Sequence, residues 1–251
     1  GFCQELIVSE IIYRGNSFTK DYIISREIQH PLDVPLDSTV AIADRNRLLN
    51  LGIFADVNWR AIPLDNKNVR LEYEILENNK FYGGRFIGGP VPSYEEKTGW
   101  SYGGGGMFKN FRGRNEMLGM GLMLGGRTTF GVSYLNPWIT GDHVSLKADI
   151  AKVMFRHPFL PYDVDLKTIE FNMGRFFGYE KKASLGFEIE AMDFKNDSIK
   201  FSYHYFAPMG SFHYDTRDLY ANPTKGVLFK QAFVSRFDLN GEIENNFIWF
   251  Q

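Results

Sequence analysis

Bulky apolar residues and glycines alternate along residues 116–126. Leu118, Met120, Leu122 and Leu124 take the even positions, and most of the odd positions between them are glycine. Because successive side chains of a strand point to opposite faces, this pattern predicts a strand with one apolar face and one small face. A soluble sheet would place polar residues opposite the apolar ones. Glycine in their place favours a barrel that is apolar toward lipid and small or polar toward its lumen.

The same alternation continues through most of the chain beyond residue 79. It recurs as Ile169, Phe171 and Met173 against Glu170, Asn172 and Gly174. We therefore predict that residues 79–251 form antiparallel transmembrane β-barrel strands, an all-β region with about ten strands. The predicted strands are residues 80–89, 99–110, 116–125, 127–138, 143–155, 166–177, 183–194, 198–214, 226–237 and 242–251. Most have the 9–11 residues that a tilted strand needs to cross a bilayer.

Residues 5–77 combine helical and strand patterns. A β-rich run at residues 6–13 precedes a helix that Thr19 can cap and that runs to about Gln29. Asp37 or Ser38 can cap a second helix, which Gly52 ends. Two strands follow at residues 54–62 and 69–76. Residues 1–78 are thus predicted to be an α+β domain with the order β-α-α-β-β and a three-stranded sheet.

Composition narrows the class of protein. The formal net charge is −2, which gives no indication of a nucleic-acid partner. No run approaches 18 consecutive apolar residues, so a transmembrane helix is excluded, whereas alternating strands remain compatible with a membrane. The single cysteine, Cys3, rules out an internal disulfide and a cysteine-cluster metal site.

Motifs that suggest catalysis are weak. The glycine run at residues 103–106 lacks the Gly-Lys-Ser/Thr of a phosphate-binding loop and is flanked by strand residues. The five histidines show no metal-ligand spacing, and no nucleophile accompanies His213 and Asp215. We therefore expect no catalytic residue, no metal, no cofactor and no enzyme activity.

Several motifs in residues 5–77 resemble those of the polypeptide-transport-associated (POTRA) domains. These are a Gly15-Asn16 turn after the first strand, and Leu51-Gly52 followed by Phe54 where a helix enters the next strand. The resemblance implies a periplasmic domain that binds extended polypeptide as an added strand. A spacer that only orients partners is the alternative.

Residues 210–226 closely resemble a periplasmic turn of the BamA/TamA superfamily of outer-membrane insertases and translocators. The segment carries Asp215, Arg217 and Asp218, then a turn in which Pro223 and Gly226 supply the geometry. Asp215 and Arg217 share a face and can pair. Taken alone, the segment would also suit a polar hairpin of any β-protein. Pro137-Trp138 resembles a second superfamily motif, with Trp138 expected in the aromatic belt at the membrane interface.

The resemblance implies an outer-membrane protein that inserts and folds β-barrel clients, without nucleotide or cofactor. The implied partners are unfolded outer-membrane proteins, membrane lipid, and periplasmic chaperones and assembly lipoproteins. A secretion translocator and a passive pore with an appended periplasmic domain are the alternatives.

In the superfamily, the first barrel strand receives the client through an open sheet edge. The equivalent candidate residues here are Phe81, Tyr82, Gly83, Gly84, Arg85, Phe86, Ile87, Gly88 and Gly89. Their four glycines would weaken packing and let the seam open, or they would merely line a crowded lumen. The family barrel has sixteen strands, and the sequence predicts ten. We therefore expect the N-terminal portion of a longer barrel, with a smaller barrel or one completed by a second chain as alternatives.

Overall fold

The computed structural model describes residues 5–79, 84–140, 143–196, 198 and 200–240, and the backbone of 247–250. These residues form two compact units. The first, here called the α/β unit, contains residues up to 85 together with two turn segments, 109–115 and 216–226. The second, here called the sheet unit, contains the rest.

The α/β unit has the order β-α-β-α-β-β. Its sheet runs β2-β1-β4-β3, with β1 parallel to β4 and β3 antiparallel to β4. The elements are β1 (Ile7–Arg14), α1 (Asp21–Ser25), β2 (Val34–Pro35), α2 (Ser38–Asn50), β3 (Phe54–Pro63) and β4 (Asn68–Glu77). The predicted order is observed with one addition, since the two-residue strand β2 pairs with β1 and makes the sheet four-stranded.

One buried core holds the two helices against this sheet. Val8, Val57 and Leu71 contribute from the strands, and Ile24 and Leu48 contribute from the helices, all with no exposed surface. Each such side chain stabilises the fold by about 1.5–3 kcal/mol relative to an exposed position.

Helix α1 is shorter than predicted and starts differently. Its N-cap is Lys20, without a side-chain cap, whereas Thr19 donates its backbone N–H to Glu77 Oε1 at 2.6 Å. The helix ends at Ser25 because the buried Asp44 carboxylate accepts the next free backbone N–H groups, those of Gln29 at 2.9 Å and His30 at 3.1 Å. A partner fifteen residues away thus replaces helical hydrogen bonds. The predicted Thr19 cap is wrong.

Helix α2 follows the sequence prediction closely. The Asp37 carboxylate accepts hydrogen bonds from the backbone N–H groups of Thr39 and Val40, which makes it the N-cap. Gly52, just past the end of the helix, has φ of 68°. This left-handed conformation is where glycine is favoured.

A buried polar network lies between the helices. Asp44 also accepts hydrogen bonds from the Tyr73 hydroxyl at 2.8 Å and from Arg47. Glu27 is only 5% exposed. Burial raises the pKa of Glu27 to about 7, and the nearby Arg26 and Arg47 oppose that rise.

The sheet unit is antiparallel throughout. Consecutive strands from β15 back to β7 are neighbours in the sheet, and β5 follows β7 at the edge. The short strand β6 also pairs with β7. Its strands are β5 (Phe86–Pro90), β6 (Ser93–Glu95), β7 (Gly99–Phe111), β8 (Glu116–Gly125), β9 (Arg127–Thr140), β10 (Val144–Arg156), β11 (Asp163–Phe177), β12 (Lys181–Lys195), β13 (Lys200–Asp215), β14 (Leu228–Asp238) and β15 (Phe247–Phe250). Over the residues described, the sheet is open, ending in β5 on one side and β15 on the other.

Two strand predictions need correction. The strand predicted at residues 80–89 begins only at Phe86, because residues 84–85 form a bend, and residues 80–83 lie outside the described residues. The short strand β6 was not predicted at all. Its three residues are too few for alternation to be recognised.

The two faces of this sheet differ as the alternation predicted. One face presents a cross-strand row that includes Met120, Val132, Ile150, Ile169 and Ile189. In this row, Met120 is 50% exposed, Ile150 54% and Ile169 47%. This face is here called the outer face.

The opposite face, called the inner face, is small and polar. On it, Lys147 pairs with Asp149 at 3.0 Å and with Glu170 at 2.8 Å. Arg236 pairs with Glu188 at 3.1 Å. No helix within the described ranges is both long and apolar enough to span a membrane.

Candidate functional site: the glycine-rich edge strand

Strand β5 lies at one edge of the sheet and pairs on one side with β7. Of the candidate residues predicted from the sequence, Phe86, Ile87, Gly88 and Gly89 belong to this strand. Gly84 and Arg85 form the preceding bend, and Phe81, Tyr82 and Gly83 lie outside the described residues. In the part of the chain that the structure describes, no strand pairs with the other side of β5.

The hydrogen bonds to β7 determine which backbone groups face the free edge. Val91 donates its N–H to Gly103 O at 2.8 Å, and Lys109 donates its N–H to Arg85 O at 2.7 Å. Because residues of an antiparallel strand alternate between the two sides, the odd-numbered residues of β5 bond toward β7. The N–H and C=O groups of Phe86 and Gly88, and the C=O of Pro90, therefore point to the free edge.

Glycine is required sterically where β5 meets β7. Gly88 lies opposite Gly106, and a Cβ at Gly88 would lie 2.4 Å from Gly105 O. The Phe86 ring lies over Gly106, where a Cβ would be 2.5 Å from the ring, and it packs against Phe108 with the ring centroids 4.9 Å apart. The glycines thus allow close approach and make room for one aromatic ring.

The bend at residues 84–85 is held within the α/β unit. Arg85 donates its N–H to Asn79 O at 2.8 Å, and its guanidinium lies over the Phe18 ring at 3.9 Å from the centroid. A Cβ at Gly84 would lie 1.8 Å from Asn79 O, so only glycine fits there.

The turn at residues 109–115 is bound to the loop before α1. Asn110 Nδ2 donates to Thr19 Oγ1 at 2.8 Å, and both residues are buried. Lys20 donates its N–H to Gly113 O at 2.9 Å. Gly113 has φ of 72°, and a Cβ there would lie 2.2 Å from Phe18 O.

Asp218 organises the turn at residues 216–226. Its carboxylate accepts hydrogen bonds from the Thr224 hydroxyl at 2.5 Å and from the backbone N–H groups of Leu219, Thr224 and Lys225. These bonds, the Thr224 hydroxyl first, hold the pKa of Asp218 well below its ordinary value. Gly226 has φ of 97°, and a Cβ there would lie 2.2 Å from Thr216 O, so the turn depends on glycine.

This turn is also bound to the end of α2. Asn50 Nδ2 donates to Asp218 O at 3.1 Å, and Asn50 Oδ1 accepts the Tyr220 N–H at 2.8 Å. Arg217 lies over the Tyr220 ring at 5.1 Å from the centroid. Sequence reasoning missed this role of Asn50, since its partners lie about 170 residues away and no local pattern marks the position.

The motif residues of the α/β unit have local structural roles. Gly15 has φ of 97°, and a Cβ there would lie 2.0 Å from Ile75 O. Asn16 Nδ2 donates to Asp21 Oδ1 at 2.8 Å. Leu51 caps the C-terminus of α2, and Phe54 begins β3 in the buried core.

Trp138 lies in a stack of three rings near the end of β9, and its place in an aromatic belt at the membrane interface stays a prediction. Its ring stacks on His143 with centroids 3.7 Å apart, and His143 stacks on Phe176 at 3.9 Å. In β11, Ile169 and every second residue from it lie on the outer face. Phe176 is seven residues from Ile169, so it belongs to the inner face. Pro137 precedes Trp138 near the end of β9, where the pairing with β10 shifts in register. That irregularity breaks the alternation from which an outward position would follow.

Residues 110–246 match the Omp85 superfamily domain. The outer membrane protein assembly factor BamA of Neisseria meningitidis serogroup B is 24% identical over 154 residues, which are 59% of this chain and 18% of that protein. A crystal structure of BamA from Haemophilus ducreyi lacking POTRA domains 1–3 matches with a TM-score of 0.63 and 19% identity, over 94% of this chain and 49% of that one. CdiB from Acinetobacter baumannii matches with a TM-score of 0.52 and 12% identity, over 94% of this chain and 46% of that one. The chain thus spans about half the length of these solved structures and a smaller share of the curated relative.

Proposed function

The chain belongs to the Omp85 superfamily, and from that premise we propose that it inserts and folds β-barrel client proteins in the outer membrane. Its outer-membrane location follows from the family and from the likeness to BamA. The proposed clients are unfolded outer-membrane proteins, which enter at the free edge of β5 without nucleotide or cofactor. The observation that carries this proposal is the row of backbone groups on that edge.

Client capture at this edge uses backbone hydrogen bonds. Phe86 and Gly88 each offer an N–H and a C=O, and Pro90 offers a C=O. At about 0.5–1.5 kcal/mol for each bond in water, five bonds would contribute roughly 3–7 kcal/mol. In lipid, an unpaired backbone group is costlier still, so the edge favours any strand that can pair with it. Because side chains take no part in these bonds, the edge accepts clients of many sequences.

Residues 1–78, the main part of the α/β unit, are proposed to form a periplasmic POTRA domain. Its order of helices and strands supports this assignment, as do the glycine turns at Gly15 and Gly52. The match to the Haemophilus BamA structure covers 94% of the 251 residues. Because residues 1–78 are far more than the remaining 6%, the match includes most of them. Periplasmic chaperones and assembly lipoproteins are its proposed partners, and membrane lipid surrounds the sheet unit.

A proline substitution at Phe86 tests the edge directly. Phe86→Pro removes the outward N–H and the ring, whereas Phe86→Ala removes only the ring. We expect Phe86→Pro to slow client insertion into vesicles well beyond Phe86→Ala. Ile87→Pro should break the pairing with β7 instead, because the Ile87 N–H faces that strand. Equal rates for Phe86→Pro and Phe86→Ala would show that this edge does not bind clients.

Disulfide crosslinking gives a second test with a positive signal. Ile87 is 42% exposed and lies between the two outward-bonding residues, where a paired client residue would approach most closely. With Cys3 replaced by serine, Ile87→Cys should crosslink to alternate positions of a client's terminal strand during assembly. Crosslinks at consecutive positions, or none, would contradict strand pairing.

A secretion translocator is the second candidate, because the inner face carries paired charges such as Lys147–Glu170 and Arg236–Glu188 that suit a polar passage. In that case a transported polypeptide should crosslink to cysteines at Glu170 or Glu188 instead of Ile87. Phe86→Pro should then leave transport at the rate of Phe86→Ala.

A further inference from the structure

We propose that the ends of β10–β13 farthest from the turn at 216–226 form a binding surface for the phosphorylated head group of a membrane lipid. The proposal rests on the proposed function for its orientation, which makes this end of the sheet extracellular. It concerns the outer face, and neither the edge strand β5 nor the inner face takes part.

On β10 and β11, outward positions change from apolar to charged at the same level of the sheet, and on β12 they do so two residues later, at Asp193. The row through Ile150, Ile169 and Ile189 is apolar. Two residues farther along the strands, Lys152 lies opposite Lys167, and after two more, Asp165 lies opposite Asp193. A step of two residues along a strand is about 7 Å. The charged groups therefore begin at the boundary of the apolar surface, where lipid head groups lie.

The charged residues nearest the apolar row neutralise one another in ion pairs. Lys152 pairs with Asp165 at 3.3 Å, and Lys167 pairs with Asp193 at 3.3 Å. Farther out, Arg156 pairs with Asp163 at 3.2 Å. These pairs leave no excess of charge among the six residues.

Two further lysines lie at the same end of the sheet, Lys195 and Lys200, the second of them near the Asp193 carboxylate. Lys195 lies directly opposite Lys200 on the β12–β13 hairpin. Among the residues that the structure describes, neither forms an ion pair. Like charges directly opposite each other destabilise a strand pair. An anion between these two lysines would turn that repulsion into attraction.

A cleft at this position has room for a head group. One part of about 430 Å³ is lined by three basic residues, Arg156, Lys195 and Lys200, and by three acidic ones, Asp163, Asp165 and Asp193, among others. An adjoining part of about 350 Å³ shares Arg156, Asp163 and Lys195 with it. Phosphate oxygens accept hydrogen bonds from both Lys and Arg. A lysine ammonium can donate in several directions, because its side chain is flexible and its three N–H groups rotate.

The neighbouring loop indicates a lipid over a soluble anion. Residues 157–162 expose Phe159 at 85% and Leu160 at 52%. The loop is ordered by His157 Nδ1, which accepts the N–H groups of Phe159 at 3.2 Å and Leu160 at 3.1 Å. Large apolar side chains held outward beside basic residues suit a membrane interface, where they enter the acyl boundary while the cations bind phosphates.

Native mass spectrometry of the full chain tests this surface. The protein is released from detergent micelles containing either a diphosphorylated glycolipid (lipid A) or phosphatidylcholine, and the retained lipid is counted. Removing two cations with Lys195→Gln and Lys200→Gln should weaken retention of lipid A about 30-fold. The control Lys181→Gln with Lys225→Gln removes the same charge at the opposite end and should retain lipid A as the wild type does.

The proposal is overturned if both double variants retain lipid A equally, or if the protein retains phosphatidylcholine as well as lipid A. It is also overturned if millimolar inorganic phosphate displaces lipid A, which would indicate a free-anion site. Phe159→Ser with Leu160→Ser should also weaken lipid A retention, and unchanged retention would likewise contradict a lipid partner. Client insertion is measured separately with the same variants. If the wild type inserts clients but does not retain lipid A, this proposal fails and the proposed function stands. If it retains lipid A but does not insert clients, the proposed function fails.

Discussion

Replacing Glu27 with glutamine should stabilise the α/β unit at about pH 8 and should not do so at pH 4.5. Glu27 is 5% exposed, and burial raises its pKa from 4.5 to about 7 against the opposing effect of Arg26 and Arg47. The folded unit therefore holds a proton that the unfolded chain releases at a lower pH. Glutamine keeps the size and polarity of the side chain and has no proton to lose.

The sign and size of the effect follow from linkage. Below pH 4.5 both states are protonated, and Glu27 has no effect on the pH dependence. Between pH 4.5 and about 7 the folded state binds more protons than the unfolded state, so the free energy of unfolding falls as pH rises. The slope is about 1.4 kcal/mol per pH unit, which gives a total loss of about 3 kcal/mol that stays constant above pH 7.

Tryptophan fluorescence can isolate this unit during urea unfolding in detergent micelles. Trp59 lies in β3 against the core, and the other three tryptophans, Trp100, Trp138 and Trp249, can be replaced by phenylalanine. The difference in free energy of unfolding between Glu27→Gln and the parent should grow by about 3 kcal/mol from pH 4.5 to about pH 8. Glu5→Gln removes the same charge at an exposed position and is the control. A difference that does not change with pH would refute the reasoning.

Three further predictions concern the faces and turns. Leu122→Arg on the outer face should cost about 2–4 kcal/mol in urea unfolding from vesicles if it lies near the bilayer midplane, whereas Met123→Arg on the inner face should cost much less. Asn50→Ala removes two hydrogen bonds to the turn at 216–226, so amide exchange there should become faster while exchange at 109–115 stays unchanged. Gly113→Ala should do the opposite, because its Cβ would lie 2.2 Å from Phe18 O at a φ of 72°, and equal acceleration of both turns would show that the two are not held independently.

Local patterns were sufficient for most elements of the fold. The alternation around Leu122 predicted both the strand and its two faces, because side-chain direction in a strand repeats every two residues. The Asp37 cap and the Gly52 stop of α2 were also legible, since both act within one helical turn. The superfamily was recognised from turn motifs such as Asp218 to Gly226, and the Omp85 match confirms it.

Long-range partners account for the predictions that failed. Helix α1 ends early because Asp44, far along the chain, takes the N–H groups of Gln29 and His30. The contact of Asn50 with Tyr220 spans 170 residues. Both contacts depend on a partner that lies in another element of the chain.

The edge strand shows how the structure changes an interpretation without changing the residues concerned. From the sequence, the glycines of residues 83–89 were interpreted as weakening the seam. In the structure, Gly88 allows β5 to approach β7 closely, and Gly106 makes room for the Phe86 ring. What limits β5 is its length, five residues against fifteen for β11 and for β12. Because β5 has five residues, a client strand added at its free edge under the proposed function can pair with at most those five residues, however long the client strand is.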